Sequence, residues 1–168
     1  MASTKLFDAL NRQLNQELAA AYLYLSMAAH FDATNFPGFA TWMRAQSGEE
    51  NEHAMKFWEH IYDRGGRVEL LAIEKPRTEF SSPLDAFKAA LDAERHNTEQ
   101  IHKLYELAVS ETDYAAQVFL NWFIEEQVEE ENSAQNIIDT LNQIGDSPSG
   151  LLLLDRELGS RGTAKTGI

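Results

Sequence analysis

Four glutamates and one histidine fall at positions that helical packing reserves for apolar side chains. Read in alternating steps of four and three, a first stripe runs Leu10, Leu14, Glu17, Ala21, Tyr24, Ala28, Phe31. A second runs Phe39, Met43, Gln46, Glu50, His53, Phe57. A third runs Leu84, Phe87, Leu91, Glu94, Thr98, Ile101, Tyr105, and a fourth Leu120, Phe123, Gln127, Glu130, Ala134, Ile137, Leu141. The period is that of a helix-bundle seam. Each stripe carries a carboxylate near its middle. An isolated buried carboxylate costs several kcal/mol or gives up its charge, so four that converge need a compensating cation.

Glu50 and His53 are three residues apart, share one helix face, and can hold one ion together. Glu-x-x-His alone arises by chance in many helices; its place on the core stripe makes it specific. Glu17, Glu94 and Glu130 add one inward carboxylate each. Gln127, one turn before Glu130, can add an amide oxygen or orient a ligand. An oxygen-rich set with one imidazole and no sulfur suits iron, manganese or zinc. Four carboxylates balance two divalent ions, and Glu50 is well placed to bridge them. One histidine across two ions leaves open positions, which favours oxygen chemistry over a closed structural site.

Helices must present these stripes to one another. The first is expected from Thr4 to Asp32, broken by Asn35, Pro37 and Gly38, and the second from Gly38 to Arg64, stopped by Gly65-Gly66. Residues 67–82 lack a sustained helical period and contain Pro76. Ser82-Pro83 opens a third helix that continues to Ser110. Thr112 or Asp113 caps a fourth, which ends at Gly145. A turn over residues 146–150, a short helix over Leu151 to Leu158 and a mobile tail over 159–168 complete the reading. Two of the connections are short and imply antiparallel neighbours. The long one can extend roughly 55 Å, while the second helix is roughly 40 Å long. It can therefore return the chain to the starting end and make the second and third helices parallel. The expected fold is an all-α single domain: a ferritin-like four-helix bundle over about residues 4–145, with a long crossover and a short fifth C-terminal helix.

Bulk composition narrows the function. The chain has 168 residues, 43% hydrophobic, enough for a real core. It has no cysteine, which removes disulfides, thiolate zinc sites and iron–sulfur clusters. A net charge of −13 opposes nucleic-acid binding and suits a protein that attracts cations. The longest apolar stretch, Leu18 to Phe31, is interrupted by Ser26 and His30 and is too short to span a membrane. Met1-Ala2-Ser3-Thr4-Lys5 shows no secretory pattern. A cytoplasmic location is expected.

Through Glu17, Tyr24, the Glu49-Glu50-x-x-His53 run, Glu94 and Glu126-Gln127-x-Glu129-Glu130, the chain resembles the non-haem bacterial ferritins over nearly its whole length. The resemblance implies that Glu17, Glu50 and His53 hold one iron. Glu50, Glu94 and Glu130 would hold a second, with Gln127 alongside. Glu49, Glu126, Glu129 and Glu130 would form a third iron site near an inner surface. It further implies ferroxidase activity, the oxidation of Fe(II) to Fe(III) with O2 or H2O2 at an intra-subunit di-iron centre. Ferric oxyhydroxide would be stored inside a hollow 24-subunit homo-oligomeric cage, and Tyr24 would serve as electron donor. Bacterioferritins differ in carrying a second Glu-x-x-His on the fourth helix, where this chain has Gln127 and Glu130. They also place a haem-ligating methionine after the bridging glutamate, where this chain has Asn51, so no haem is expected.

Further features bear on this reading. The run Glu125 to Glu131 places like charges at Glu125/Glu129 and Glu126/Glu130, pairs that destabilise a helix unless a cation lies nearby. The block Leu151 to Leu154 reads as an interface patch, and in ferritins the last helix lines the four-fold axis. Trp122 reads as packing. Two other classes fit the same residues. One is a di-metal peroxide scavenger without mineral storage. The other is a structural bundle whose buried acids share protons.

Overall fold

The structure is a computed structural model that describes residues 2–160. Five helices appear in order: α1 (Thr4–Ala33), α2 (Pro37–Asp63), α3 (Pro83–Ser110), α4 (Tyr114–Ile144) and α5 (Pro148–Gly159). Among the described residues there is no strand, and no helix is long and apolar enough to cross a membrane.

Four of the five helices start on a side-chain cap. Ser3, Ser82, Asp113 and Ser147 accept from the backbone amides of Leu6, Asp85, Ala116 and Gly150. Each satisfies an amide that the first turn leaves without a partner. Of the two caps expected for α4, Asp113 serves, while Thr112 takes a φ of 56° in the turn before it. The helix α5 corrects the sequence reading. It begins at Pro148, not Leu151, because Ser147-Pro148 repeats the cap-then-proline device of Ser82-Pro83. It also includes Gly159, which was expected to open the tail. Residues 161–168, the rest of that expected tail, lie outside the described residues.

The helix α2 has no side-chain cap of its own. Asp155 on α5 supplies one, accepting from the Phe39 amide at 2.9 Å. Gly38 allows this approach: a β-carbon there would lie 1.6 Å from the Asp155 carbonyl oxygen.

The topology follows the expected plan. The helices α1 and α2 pair, as do α3 and α4. The crossover lies along α1. Asn11 and Asn15 hold the backbone of Glu69 and Leu71, and Ser26 donates to the Arg77 carbonyl. Rising residue numbers on the two segments run together, so the chain is carried back along α1 before α3 begins.

Two apolar clusters fill the bundle. One gathers Phe31, Phe39, Trp42, Met43, Phe87 and Ile137; the other gathers Leu6, Leu10, Phe57, Ile61, Leu104 and Phe123. The polar stripe residues belong to neither. Every stripe residue named for α1, α2 and α4 is buried. On α3 the stripe drifts. Beyond Glu94 the buried residues are Asn97, Ile101, Leu104 and Ala108, while Thr98 and Tyr105 are only half-buried. A straight helix has 3.6 residues per turn, so a strict seven-residue reading slips by about 20° per heptad.

Candidate metal centre

Each of the four bundle helices contributes to a buried polar belt. Glu17 comes from α1, Glu50 and His53 from α2, Glu94 from α3, and Glu130 with Gln127 from α4; none is more than 5% exposed. Glu17, Glu50 and His53 each offer a ligand atom within 4.8 Å of the others. His53 Nδ1 lies 3.4 Å from Glu50 Oε2. Among the described residues, none gives a geometrically sound hydrogen bond to either Glu50 oxygen or to His53 Nδ1. Buried polar groups are almost always paired, and an unpaired buried carboxylate is among the costliest arrangements a fold can hold. The orphaned atoms of Glu50 and His53 converge, which is what a cation between them would satisfy.

The protons of the metal-free site follow from the same geometry. Burial pushes the carboxyls of Glu17 and Glu50 well above the ordinary carboxylate range, with the Glu50 charge adding to the rise at Glu17 and the Glu94 charge to the rise at Glu50. Burial also raises Glu94. It raises Glu130 to about 7, with Glu94 as the next contributor. Without a cation the belt therefore holds protons in place of charge. Metal ions would displace them.

The other belt residues orient the acids. Gln13 and Asn97 donate to the two oxygens of Glu17, at 2.8 and 3.1 Å. Tyr24 donates to Glu94 Oε1 at 2.5 Å. Burial and the nearby carboxylates push the Tyr24 hydroxyl well above its ordinary range, so it stays protonated and able to donate. Gln127 Nε2 donates to Glu94 Oε2 at 3.3 Å, and Gln46 Nε2 to Glu130 Oε2 at 2.7 Å. Trp122 and Phe123 meet the His53 ring edge-on, at centroid distances of 5.3 and 5.9 Å. Trp122 is thus packing against a site residue, with Lys56 over its ring.

Of these supports, Gln13, Asn97 and Gln46 escaped the sequence reading as functional residues. Gln13 carried a signal, standing one turn before Glu17 on the same face. Gln46 stood on its stripe. Asn97 had none, because the α3 drift moved it into the core.

The residues expected for a third site are arranged differently from the expectation. His53, Glu126 and Glu130 form a second group within 4.8 Å, with His53 Nε2 4.0 Å from Glu126 Oε1. Glu49 is half-buried and raises both Glu50 and Glu130 through its charge. Glu129 is exposed and belongs to neither group. The imidazole thus stands between the buried triad and the acidic face of α4.

Fold and belt together define a four-helix carboxylate bundle able to bind metal. The family described as "Ferritin-like domain" matches residues 7–144. A bacterial non-heme ferritin of Staphylococcus epidermidis is 45% identical over 161 residues, covering 96% of this chain and 97% of its own. That of Staphylococcus haemolyticus is 44% identical over the same share. An open pore ferritin from the hyperthermophilic archaeon Archaeoglobus fulgidus superposes with a TM-score of 0.95 at 48% identity, covering 96% of this chain and 99% of that one. The chain belongs to the ferritin family.

Proposed function

We propose that this protein is an iron-storage ferritin with ferroxidase activity. Fe(II) is its substrate, oxidised by O2 or H2O2. The observation that carries the proposal is the buried Glu17–Glu50–His53 triad, whose unpaired atoms converge in a family of iron proteins. Glu17, Glu50 and His53 would bind one Fe(II), and Glu50, Glu94, Glu130 and Gln127 a second. Two ions held close are suited to delivering one electron each to a bridging oxidant. Tyr24, hydrogen-bonded to Glu94, would supply another electron.

The acidic face supports entry from one side. Glu126 shares its group with His53 and Glu130, and Glu49 and Glu129 extend the negative field that draws in cations. Glu49, Glu126, Glu129 and Glu130 would form a third iron site near an inner surface. Storage requires a hollow cage, and membership of the ferritin family is the ground for one of 24 subunits. Leu152 and Leu153 of α5, 51% and 67% exposed, form an apolar patch of the kind buried in subunit contacts. A cytoplasmic location accords with the absence of a membrane-crossing helix among the described residues.

The test is aerobic addition of two Fe(II) per chain to metal-free protein, followed by stopped-flow ferric absorbance. A fast phase saturating at that ratio is expected. A rate equal to the protein-free control would refute the ferroxidase reading. Size-exclusion with light scattering separates a storage cage from a small peroxide-scavenging oligomer.

A further inference from the structure

Glu131 closes the acidic run of α4 but joins neither ligand group. It accepts a hydrogen bond from the Thr98 hydroxyl on α3, with Oγ1 2.6 Å from Oε1, and lies 3.8 Å from Arg95 Nε. Thr98 Oγ1 in turn accepts from Gln127 Nε2 at 3.2 Å. That same nitrogen donates to the Glu94 carboxylate at 3.3 Å and to the Glu94 backbone carbonyl at 3.2 Å. A hydrogen-bonded chain thus leads from half-exposed Glu131 through Thr98 and Gln127 to buried Glu94.

Counting protons gives this chain a direction. A carboxylate only accepts, and a hydroxyl has a single proton to give. The Thr98 proton is committed to Glu131, so toward Gln127 its oxygen can only accept. A primary amide has two donors on one branch and an acceptor on the other. The branch facing Thr98 must therefore be the NH2. Three acceptors, the Glu94 carbonyl, the Glu94 carboxylate and Thr98, share the two N–H groups of Nε2, one of them through a bifurcated bond. The acceptor-only Glu94 carbonyl holds the NH2 on this side as well, so a Thr98 proton turned inward would meet an N–H and push the amide off the Glu94 carboxylate.

We propose that Thr98 and Glu131 are positioning residues that lock the Gln127 amide, whose Nε2 in turn holds the Glu94 carboxylate for a metal ion shared with Glu130. This rests on the reading of the belt as a two-ion centre. Neither residue touches the ion; both act through Gln127. Partners of this kind are typically worth about 10- to 100-fold in metal affinity.

The experiment is anaerobic Co(II) titration of the assembled, metal-free protein, followed by visible ligand-field absorbance. The imidazole-bound ion and the all-oxygen ion have different spectra and can be followed separately. Thr98→Val removes the acceptor, and Glu131→Ala removes the group that holds the Thr98 proton, freeing it to turn inward. Both variants should bind the all-oxygen ion about tenfold more weakly or worse, with the imidazole-bound ion unchanged. Thr98→Ser should retain wild-type binding. Wild-type binding by Thr98→Val and Glu131→Ala, equal weakening of both ions, or a Thr98→Ser variant as poor as Thr98→Val would overturn the proposal. If Thr98→Val fails to assemble, Glu131→Ala at the bundle surface decides alone. Two Co(II) bound without fast Fe(II) oxidation would remove the ferroxidase reading and leave the positioning chain standing. Fast oxidation with indifferent variants would do the reverse, and a wild-type protein binding no Co(II) would remove both.

Discussion

Asp155 accepts a hydrogen bond from the backbone amide of Phe39, 2.9 Å away and 116 residues earlier in the chain. One carboxylate thereby caps α2 and fastens α5 to the end of the bundle, where a negative charge also meets the positive end of the helix dipole. Asp155→Ala should cost about 1 kcal/mol, the usual worth of an N-cap. Asp155→Asn, which keeps the acceptor, should recover most of it. Thermal unfolding at fixed protein concentration would check both, and equal melting temperatures for all three proteins would deny Asp155 this role. Gly38→Ala should be worse than either, because its methyl would collide with the Asp155 backbone.

The ligand assignment predicts a large kinetic effect. Outer-shell changes typically cost about 10- to 100-fold, so loss of a direct ligand in Glu94→Ala or Glu130→Ala should slow fast Fe(II) oxidation by about 100-fold or more. The particle should keep its size. Stopped-flow rates indistinguishable from wild type would remove these residues from the site.

Tyr24 makes two separable predictions. Its hydroxyl holds Glu94 in place, so Tyr24→Phe should weaken binding of the second divalent ion by about tenfold. If it also supplies an electron, freeze-quench EPR of wild type mixed with Fe(II) and O2 should show a tyrosyl radical that Tyr24→Phe lacks. A silent wild-type spectrum would confine Tyr24 to positioning.

The raised carboxyls predict how stability depends on pH. Glu130 goes from an ordinary 4.5 to about 7 on folding, chiefly through burial. The folded state thus holds a proton that the unfolded state has released between those values. The associated stability is complete below the unfolded value and is lost as pH rises through about 7. Glu17, Glu50 and Glu94 are shifted the same way. Metal-free protein should therefore lose melting temperature as pH rises from about 4.5 through about 7, the window of the Glu130 shift. Divalent ions should restore it progressively more as pH rises. Glu130→Gln should flatten the decline. A metal-free melting temperature that climbs over this range in wild type and variant alike would mean the belt does not hold its protons.

The amino-acid order by itself determined the bundle and the identity of its central acids. Helix periodicity, Ser82-Pro83, Gly65-Gly66 and the lengths of the connections are local signals, and each acts through backbone sterics that neighbours along the chain control. Glu17, Glu50, Glu94 and Glu130 were visible because a charge on an apolar stripe contradicts its surroundings, and contradiction is legible in one dimension. What holds those acids was not. The support of Glu17 by Asn97, of Glu130 by Gln46 and of Gln127 by Thr98 joins different helices. Such pairings depend on helix rotation, and the slow drift of α3 away from a seven-residue period was enough to exchange Thr98 for Asn97 in the core. The capping of α2 by Asp155 lay equally out of reach, since Phe36 offers no side-chain acceptor and nothing near it in sequence names a distant substitute. Burial pattern is written along the chain, whereas hydrogen-bond partnership across helices is decided only when the elements meet.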